Sequence, residues 1–410
     1  QCERYVSEDR LNMMLEKEFR LLRVRLSDKS DEKRFFAFAN TIETLNYSKS
    51  NHGHGWLGVR FQLDPNAPPN DCVIHLLLHD QDTLLQQNLI GIIGVNLLYA
   101  CHFKKTADEF IDSLVDNIDM NRVEINMLRI EGPDFKDVDN RLLALKLVRK
   151  GISNATMFGP DKRVLQPARA LYKKNALILR GRFRPVTNVN VDMLLTGRKR
   201  FKKEHDVDPQ KIVVLTELTL NDLRDESQEI DEQDFLNRVD IICSLGQNVM
   251  ISNFYEYYRL VDYISQYTKR EKIGIILGIY NLKQIFSEEY YTHLRGGILE
   301  AFGTLFGHNV KFYVYPSLAP DSKTIFSLDN FIVPAHLEGL YNFLLENDHL
   351  ESIHGANKSI LGINSDEALK KLLEGDPSWE AMVPFKVSSM IKEMKYFGFT
   401  APESQKAKAS

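Results

Sequence analysis

Three arginines alternate in the stretch Arg180-Gly181-Arg182-Phe183-Arg184-Pro185-Val186-Thr187-Asn188-Val189-Asn190, directly after an apolar run at residues 176–180. A guanidinium presents paired N–H donors whose spacing suits a phosphate or a carboxylate. Thr187 and the asparagines after it are helix-capping types, and the pattern predicts a helix over residues 189–201. The start of such a helix offers unpaired N–H groups and a partial positive charge. Arg180, Arg182, Arg184, Thr187 and Asn190 thus make a candidate anion site. The alternative is that two of the three arginines pair with surface acids.

Gly181-x-Phe183-x-Pro185-x-Thr187-x-x-Asn190-x-x-Met193 resembles the G-x-F-x-P-x-T-x-x-H-x-x-M signature of the nicotinamide mononucleotide adenylyltransferases, within the nucleotidyltransferase superfamily. The resemblance spans residues 175–350 at most. It implies an open Rossmann-like sheet in which the motif joins the first strand to the first helix and contacts ATP phosphates. The implied reaction joins an adenylyl group to a mononucleotide and releases pyrophosphate. Asn190 stands where that family has a phosphate-binding histidine; asparagine donates a hydrogen bond but brings no positive charge. The family's I-S-S-T-x-x-R helix start has only a poor counterpart, Ser322-Lys323-Thr324-Ile325-Phe326-Ser327, whereas Phe331-Ile332-Val333-Pro334 is loosely similar to the family's C-terminal end.

Other strand ends carry candidate groups. Glu217 closes an apolar run at 212–218, where a general base or metal ligand would sit. The alternative is a structural carboxylate held by an arginine of the neighbouring strand. Asn253, after the run at 249–252, would hydrogen-bond a ligand while Tyr255, Tyr257 and Tyr258 stack on a ring, or Ser252 and Asn253 would simply cap a helix. Gly296 and Gly297 open another helical stretch and would let a phosphate approach closely, or would mark a helix break. Glu131, Asp134, Asp137 and Asp139 crowd one loop that would suit a divalent cation if they converge. Histidines point to no metal centre. His52 and His54 fall in a predicted loop, and His75 and His79 form only a pair on one strand face. No nucleophile elbow, P-loop or zincin motif occurs.

These loops need a scaffold that places strand ends together. Residues 1–50 read as polar and helical, with a strand pair at 56–63 and 72–79, then helices at 83–102 and 106–118. From residue 121, β-branched runs at 123–130, 155–158, 176–180, 212–218, 249–252, 273–277 and 310–315 alternate with helical segments at 140–150, 164–173, 189–201, 234–245, 255–267 and 282–306. Such alternation implies a parallel α/β sheet with ligands at the carboxyl ends of its strands. An eighth strand from 73–79 or 97–103 would close a (β/α)₈ barrel; the unbroken cadence favours that closed barrel over an open sheet. The expected layout is an α+β N-terminal region over 1–120, a βα-repeat body over 121–320, and a helical region with a polar tail over 321–410.

Composition sets the outer bounds. The 410 residues are 43 % hydrophobic and 26 % charged, which excludes disorder and disulfide-stapled mini-folds. A net charge of −4 argues against a nucleic-acid binder, although Arg198, Lys199, Arg200, Lys202 and Lys203 form a local basic cluster. No run is as long and uninterrupted as a membrane span, and no apolar signal core follows Gln1. Cys2, Cys72, Cys101 and Cys243 lack metal or disulfide spacing and read as thiols of the cytoplasm. Three functions are therefore expected in turn. The first is an enzyme that binds a nucleotide or phosphorylated ligand, with nucleotidyl transfer assisted by Mg²⁺ as its sharp form. The second is a barrel enzyme acting on an anionic small molecule with Glu217 as acid/base. The third is a catalytically inactive nucleotidyltransferase-like binding protein. The partner in each is a small anionic ligand, neither nucleic acid nor membrane, and a homo-oligomer is compatible with all three.

Overall fold

A computed structural model describes residues 5–29, 31–104, 106–224, 228–319 and 324–400. Cys2, Ser322, Lys323 and the polar tail lie outside the described residues. By internal contacts the chain divides into two compact units: residues 1–158 with 163–167 and 251–253, and residues 159–162, 168–250 and 254–410.

The first unit is built on four strands, β1 (Phe36–Glu43), β2 (Gly53–Phe61), β3 (Asn70–Leu78) and β4 (Val123–Glu131), paired antiparallel in that order. β1 falls where the sequence reads as helix; its alternating buried Ala37, Ala39 and Thr41 are the period-two signal that the charged surroundings mask. β4 is likewise a member of this antiparallel sheet, not the first strand of a parallel series. One face of the sheet packs Leu57, Val59, Ile74 and Leu76 against Leu89, Ile93 and Leu97 of the helix Thr83–Phe103. That helix is long and apolar enough to span a membrane by length and composition, but this stripe is buried in the core. The other face meets Leu11 and Leu15 of the helix Glu8–Arg25, which starts at Ser7 accepting from the Arg10 N–H. The hairpin β5 (Ala155–Phe158) and β6 (Val164–Leu165) completes the unit, with β6 and the short helix Pro167–Leu171 replacing the longer helix expected over 164–173.

The second unit contains β7 (Asn175–Arg180), β8 (Ile212–Thr219), β9 (Asn248–Ser252, which ends in the first unit), β10 (Ile273–Gly278), β11 (Val310–Tyr315) and β14 (Leu350–Ser352), with a small antiparallel pair β12 (Ser317–Leu318) and β13 (Ile325–Phe326) between the last two. The row runs β14-β11-β10-β7-β8-β9. β7 pairs parallel with β8 and β10, β10 with β11, and β11 with β14. The closed barrel expected from the cadence is therefore not formed. A barrel pairs each strand with its successor; here β10 leaves β9 and joins β7, and β14 stands at an open edge. Periodicity reports that a strand is covered on both faces, and this holds equally for barrels and doubly wound sheets. Counted in chain order within the unit, the row is 3-2-1-4-5-6, the doubly wound order whose direction reverses between its first and fourth strands. The α/β class holds.

The longer helices between these strands include Asn188–Phe201, Glu232–Ser244, Tyr257–Thr268, Gly297–Phe306 and Glu338–Glu346. The single helix expected over 282–306 is broken into Ile279–Ile285, a 3₁₀ turn at Glu288–Tyr291 and Gly297–Phe306. The helix Asn188–Phe201 lies hard against β10: a β-carbon on Gly197 would come within 2.6 Å of Cγ1 of Ile276. At the amino ends of the strands, Lys311 is 3 % exposed and ion-paired to Glu204 (2.9 Å), Asp348 (2.7 Å) and Glu351 (2.8 Å). That end is a structural network, opposite the carboxyl ends at which open α/β sheets in general bind their ligands.

Candidate functional site

The reversal of strand order puts the carboxyl ends of β7 and β10 side by side, with the loop 181–187 and the N-terminus of Asn188–Phe201 leading out of β7. Phe183 is 2 % exposed and holds φ at 48°, a conformation that costs a residue with a side chain about 1 kcal/mol or more. Its ring turns back over Gly181, where a β-carbon would meet it at 3.2 Å. Glycine and phenylalanine in this loop are thus a packing pair.

Each loop arginine has an acid. Arg180 forks onto Glu217 (2.8 and 3.0 Å), donates to the Tyr255 carbonyl (3.0 Å), and lies with its guanidinium carbon 4.3 Å from the Tyr257 ring centroid. Burial opposes the charge on Arg180, but Glu217 together with Tyr257 and Asp222 outweighs it, so its pKa is raised. Arg184 pairs with Asp234 at 2.7 Å, and Asp234 also receives Arg238 at 2.7 Å. Arg238 reaches on to the carbonyls of Arg182 (3.1 Å) and Asp222 (2.7 Å), pinning the loop from below. Arg182 differs. It meets Asp366 at 3.1 Å with both side chains open to solvent. Pairing with surface acids is the sequence alternative for two of the three arginines; all three are paired, Arg180 and Arg184 with buried acids, and only Arg182 holds its acid loosely.

Thr187 and Asn190 form a reciprocal cap. The Asn190 N–H donates to Oγ1 of Thr187, while the Asn190 side-chain oxygen accepts from the Thr187 N–H (2.9 Å) and hydroxyl (3.0 Å). Asn190 is therefore committed through its oxygen to starting the helix. Among the described residues, no acceptor meets the N–H of Asn188 or Val189. Two amide donors stay open at the mouth of the switch point. Across it, Gly278 leads straight into Ile279–Ile285, and the Tyr280 hydroxyl donates to the Leu318 carbonyl (3.0 Å).

The remaining sequence candidates are placed as follows. Glu217 is the wholly buried partner of Arg180. Asn253 belongs to the first unit, donates from its N–H to the Asn154 carbonyl (3.0 Å), and keeps a buried, unpartnered Oδ1. The Gly296 N–H donates to Oε2 of Glu300 (2.8 Å), so a carboxylate of the chain already occupies the start of that helix, which Gly297 enters at φ 55°. The acidic loop after β4 does not converge. Glu131 pairs with Arg129, Asp134 with Asn70 and Asp139 with Arg141. Among the described residues, no three His, Cys, Asp or Glu side chains come together as a metal set. Asp234, Arg238 and Asp366 were not picked from the sequence; only the i, i+4 spacing of Asp234 and Arg238 was there to be read.

The histidines of the first unit pair differently from the sequence reading. His79 is exposed beyond the end of β3, and His54 lies on β2, not in a loop. His54 Nδ1 lies 3.3 Å from His75 Nε2. Burial holds the pKa of His75 down at about 3 and also lowers that of His54.

The strand order defines the second unit as a doubly wound α/β module, with the start of the helix Asn188–Phe201 beside its switch point. No family model matches the chain, and no curated protein matches it. Among solved structures it is similar to the Plasmodium falciparum nicotinic acid mononucleotide adenylyltransferase complexed with APC, at 14 % identity and a TM-score of 0.35, covering 55 % of this chain and 98 % of that one. That likeness is too low to carry the fold, which is read from the strand order.

Proposed function

We propose that the second unit binds a nucleotide or another phosphorylated small molecule in the crevice at the carboxyl ends of β7 and β10. The observation that carries this is the switch point itself, with two amides that have no acceptor at the start of the 14-residue helix leading out of β7. Parallel α/β sheets bind phosphates in that position for electrostatic reasons. Arg182 is the cation for the ligand. Its exposed pair with Asp366 is worth about 0–1 kcal/mol, so a phosphate displaces the carboxylate at little cost. Arg180 and Arg184 hold the loop and do not reach for ligand.

Nucleotidyl transfer, with Mg²⁺ neutralising the triphosphate, is the specific chemistry that the motif resemblance supports. The cap formed by Asn190 favours the quieter form of this reading, binding without turnover. No acid/base role is proposed for Glu217, and the barrel-enzyme reading falls with the barrel.

A thermal-shift screen with ATP, NMN, NAD and sugar phosphates, with and without Mg²⁺, tests binding, since occupancy stabilises the native state by mass action. Arg182→Ala and Asn188→Pro should each reduce the shift. Proline is tolerated at the first helical position and deletes one open N–H. No shift with any of these ligands, or a shift that survives both substitutions, overturns the proposal. Pyrophosphate release from ATP and NMN separates transfer from binding.

A further inference from the structure

The helix Thr83–Phe103 has no Asp, Glu, Lys or Arg among its 21 residues. Its inner side is committed to the core of the first unit, where Leu89, Ile93 and Leu97 are buried. Its outer side is apolar as well: Leu84, Leu85, Val95, Tyr99 and Phe103 are each 48–66 % exposed. The Tyr99 and Phe103 rings lie 5.0 Å apart, so the stripe continues to the last turn. A surface helix of a soluble protein carries charged and polar residues on its outer face. A long apolar stripe there marks a surface made to be covered.

The outer residues follow a heptad. Leu85, Asn88, Ile92, Val95 and Tyr99 succeed each other at intervals of three and four, the spacing of a helix–helix seam. Asn88, Gly91, Ile92 and Val95, together with Asn96, line an open groove of about 460 Å³. In knobs-into-holes packing, four residues so spaced form the hole that receives one side chain of a facing helix. A β-carbon on Gly91 would meet nothing within 4 Å, so the space above it is free for a close approach.

We propose that this face pairs with the same face of a second copy of the chain, the two helices antiparallel about a two-fold axis between Ile92 and Val95. That register seats Val95 of the second copy in the groove, against Ile92. It sets Asn88 against Tyr99 of the second copy, whose hydroxyl can donate to the amide oxygen. The helix ends favour this direction. Asp82 is exposed at the helix start, and Lys104 at the other end lies with its Nζ 5.4 Å from the Tyr99 ring centroid, on the same face. Antiparallel helices bring Asp82 within a turn of Lys104 of the second copy, whereas parallel ones set like charges together. At roughly 200 Å² for a whole large apolar residue, the five exposed side chains leave about 600 Å² per copy, so the pair buries about 1,200 Å² in total, the lower end of a specific, stable interface. The helix belongs to the first unit, so this surface is independent of the nucleotide reading.

Sedimentation velocity of the full chain over roughly 1–100 μM brackets the micromolar Kd that an interface of this size supports. A dimer should form. Val95→Glu should weaken it at least about tenfold, since it sets a charge into the seam; Met13→Lys, at an exposed residue of another helix, should not. Val95 is exposed, so its variant keeps the fold, which circular dichroism checks. Val95→Glu mixed with Ile92→Lys should regain the dimer, because the antiparallel register sets the two new charges against each other and a parallel one does not. A chain monomeric throughout, a dimer unchanged by Val95→Glu, or a mixture that stays monomeric overturns the proposal. A monomer that binds phosphatidylcholine vesicles, with Val95→Glu abolishing the binding, assigns the face to a membrane and equally overturns it.

Discussion

Arg180 and Glu217 sit opposite each other on neighbouring parallel strands, and their side chains close a two-pronged ion pair at the mouth of the sheet. Glu217 has no exposure and Arg180 little. Removing one member of a buried pair strands the other charge. Glu217→Ala should therefore cost about 3–5 kcal/mol, and Glu217→Gln about 1–3 kcal/mol, because the amide still accepts. Urea denaturation at pH 7 measures both. A Glu217→Ala loss below about 1 kcal/mol would mean that water reaches Arg180 and the pair is not a structural clamp.

Thr187 and Asn190 satisfy each other at the helix start, so their contributions are coupled. Thr187→Ala and Asn190→Ala should each cost about 1 kcal/mol. The double variant should cost clearly less than the sum, by about 0.5 kcal/mol or more. Additive losses in denaturant midpoints would show that the two side chains act separately.

Much of this region was legible in the chain. Thr187 as a cap and the alternating strands and helices of the second unit follow from residue type and period. What periodicity misses is partnership. Nothing local in the segment Ile273–Gly278 says that it joins β7 instead of β9, since apolar runs covered on both faces look alike in barrel and open sheet. The acids that quench the arginines come from distant positions, with Asp366 184 residues from Arg182. His75 and His79 share a strand face on paper, but β3 ends at Leu78, and His54 becomes the neighbour through pairing with β2.

Gly197 lets the helix Asn188–Phe201 sit close on β10, which fixes where the open amides point. An alanine there gains about 1 kcal/mol of intrinsic helix propensity, but its methyl meets the Ile276 side chain. Overpacking of this kind costs about 1–3 kcal/mol. Gly197→Ala should therefore be destabilising on balance, and Ile276→Val should relieve part of the loss. A Gly197→Ala variant more stable than the parent would place the helix further from the sheet.

Tyr257 lies under the Arg180 guanidinium, and burial raises its pKa to about 12 against an ordinary value of 10.0; Arg180 opposes the rise and Glu217 adds to it. Between pH 10 and 12 the unfolded chain gives up this proton while the native chain keeps it. The native state then binds more protons, so stability falls as pH rises, by roughly 1.4 kcal/mol per pH unit from this residue. Below pH 10 both states are protonated and the contribution is fully present. Tyr257→Phe keeps the ring beneath Arg180 and removes the titration. Its denaturation free energy, compared with the parent at pH 9 and pH 11, should show a shallower alkaline loss; parallel losses in the two proteins would mean that solvent already reaches the phenol in the native state.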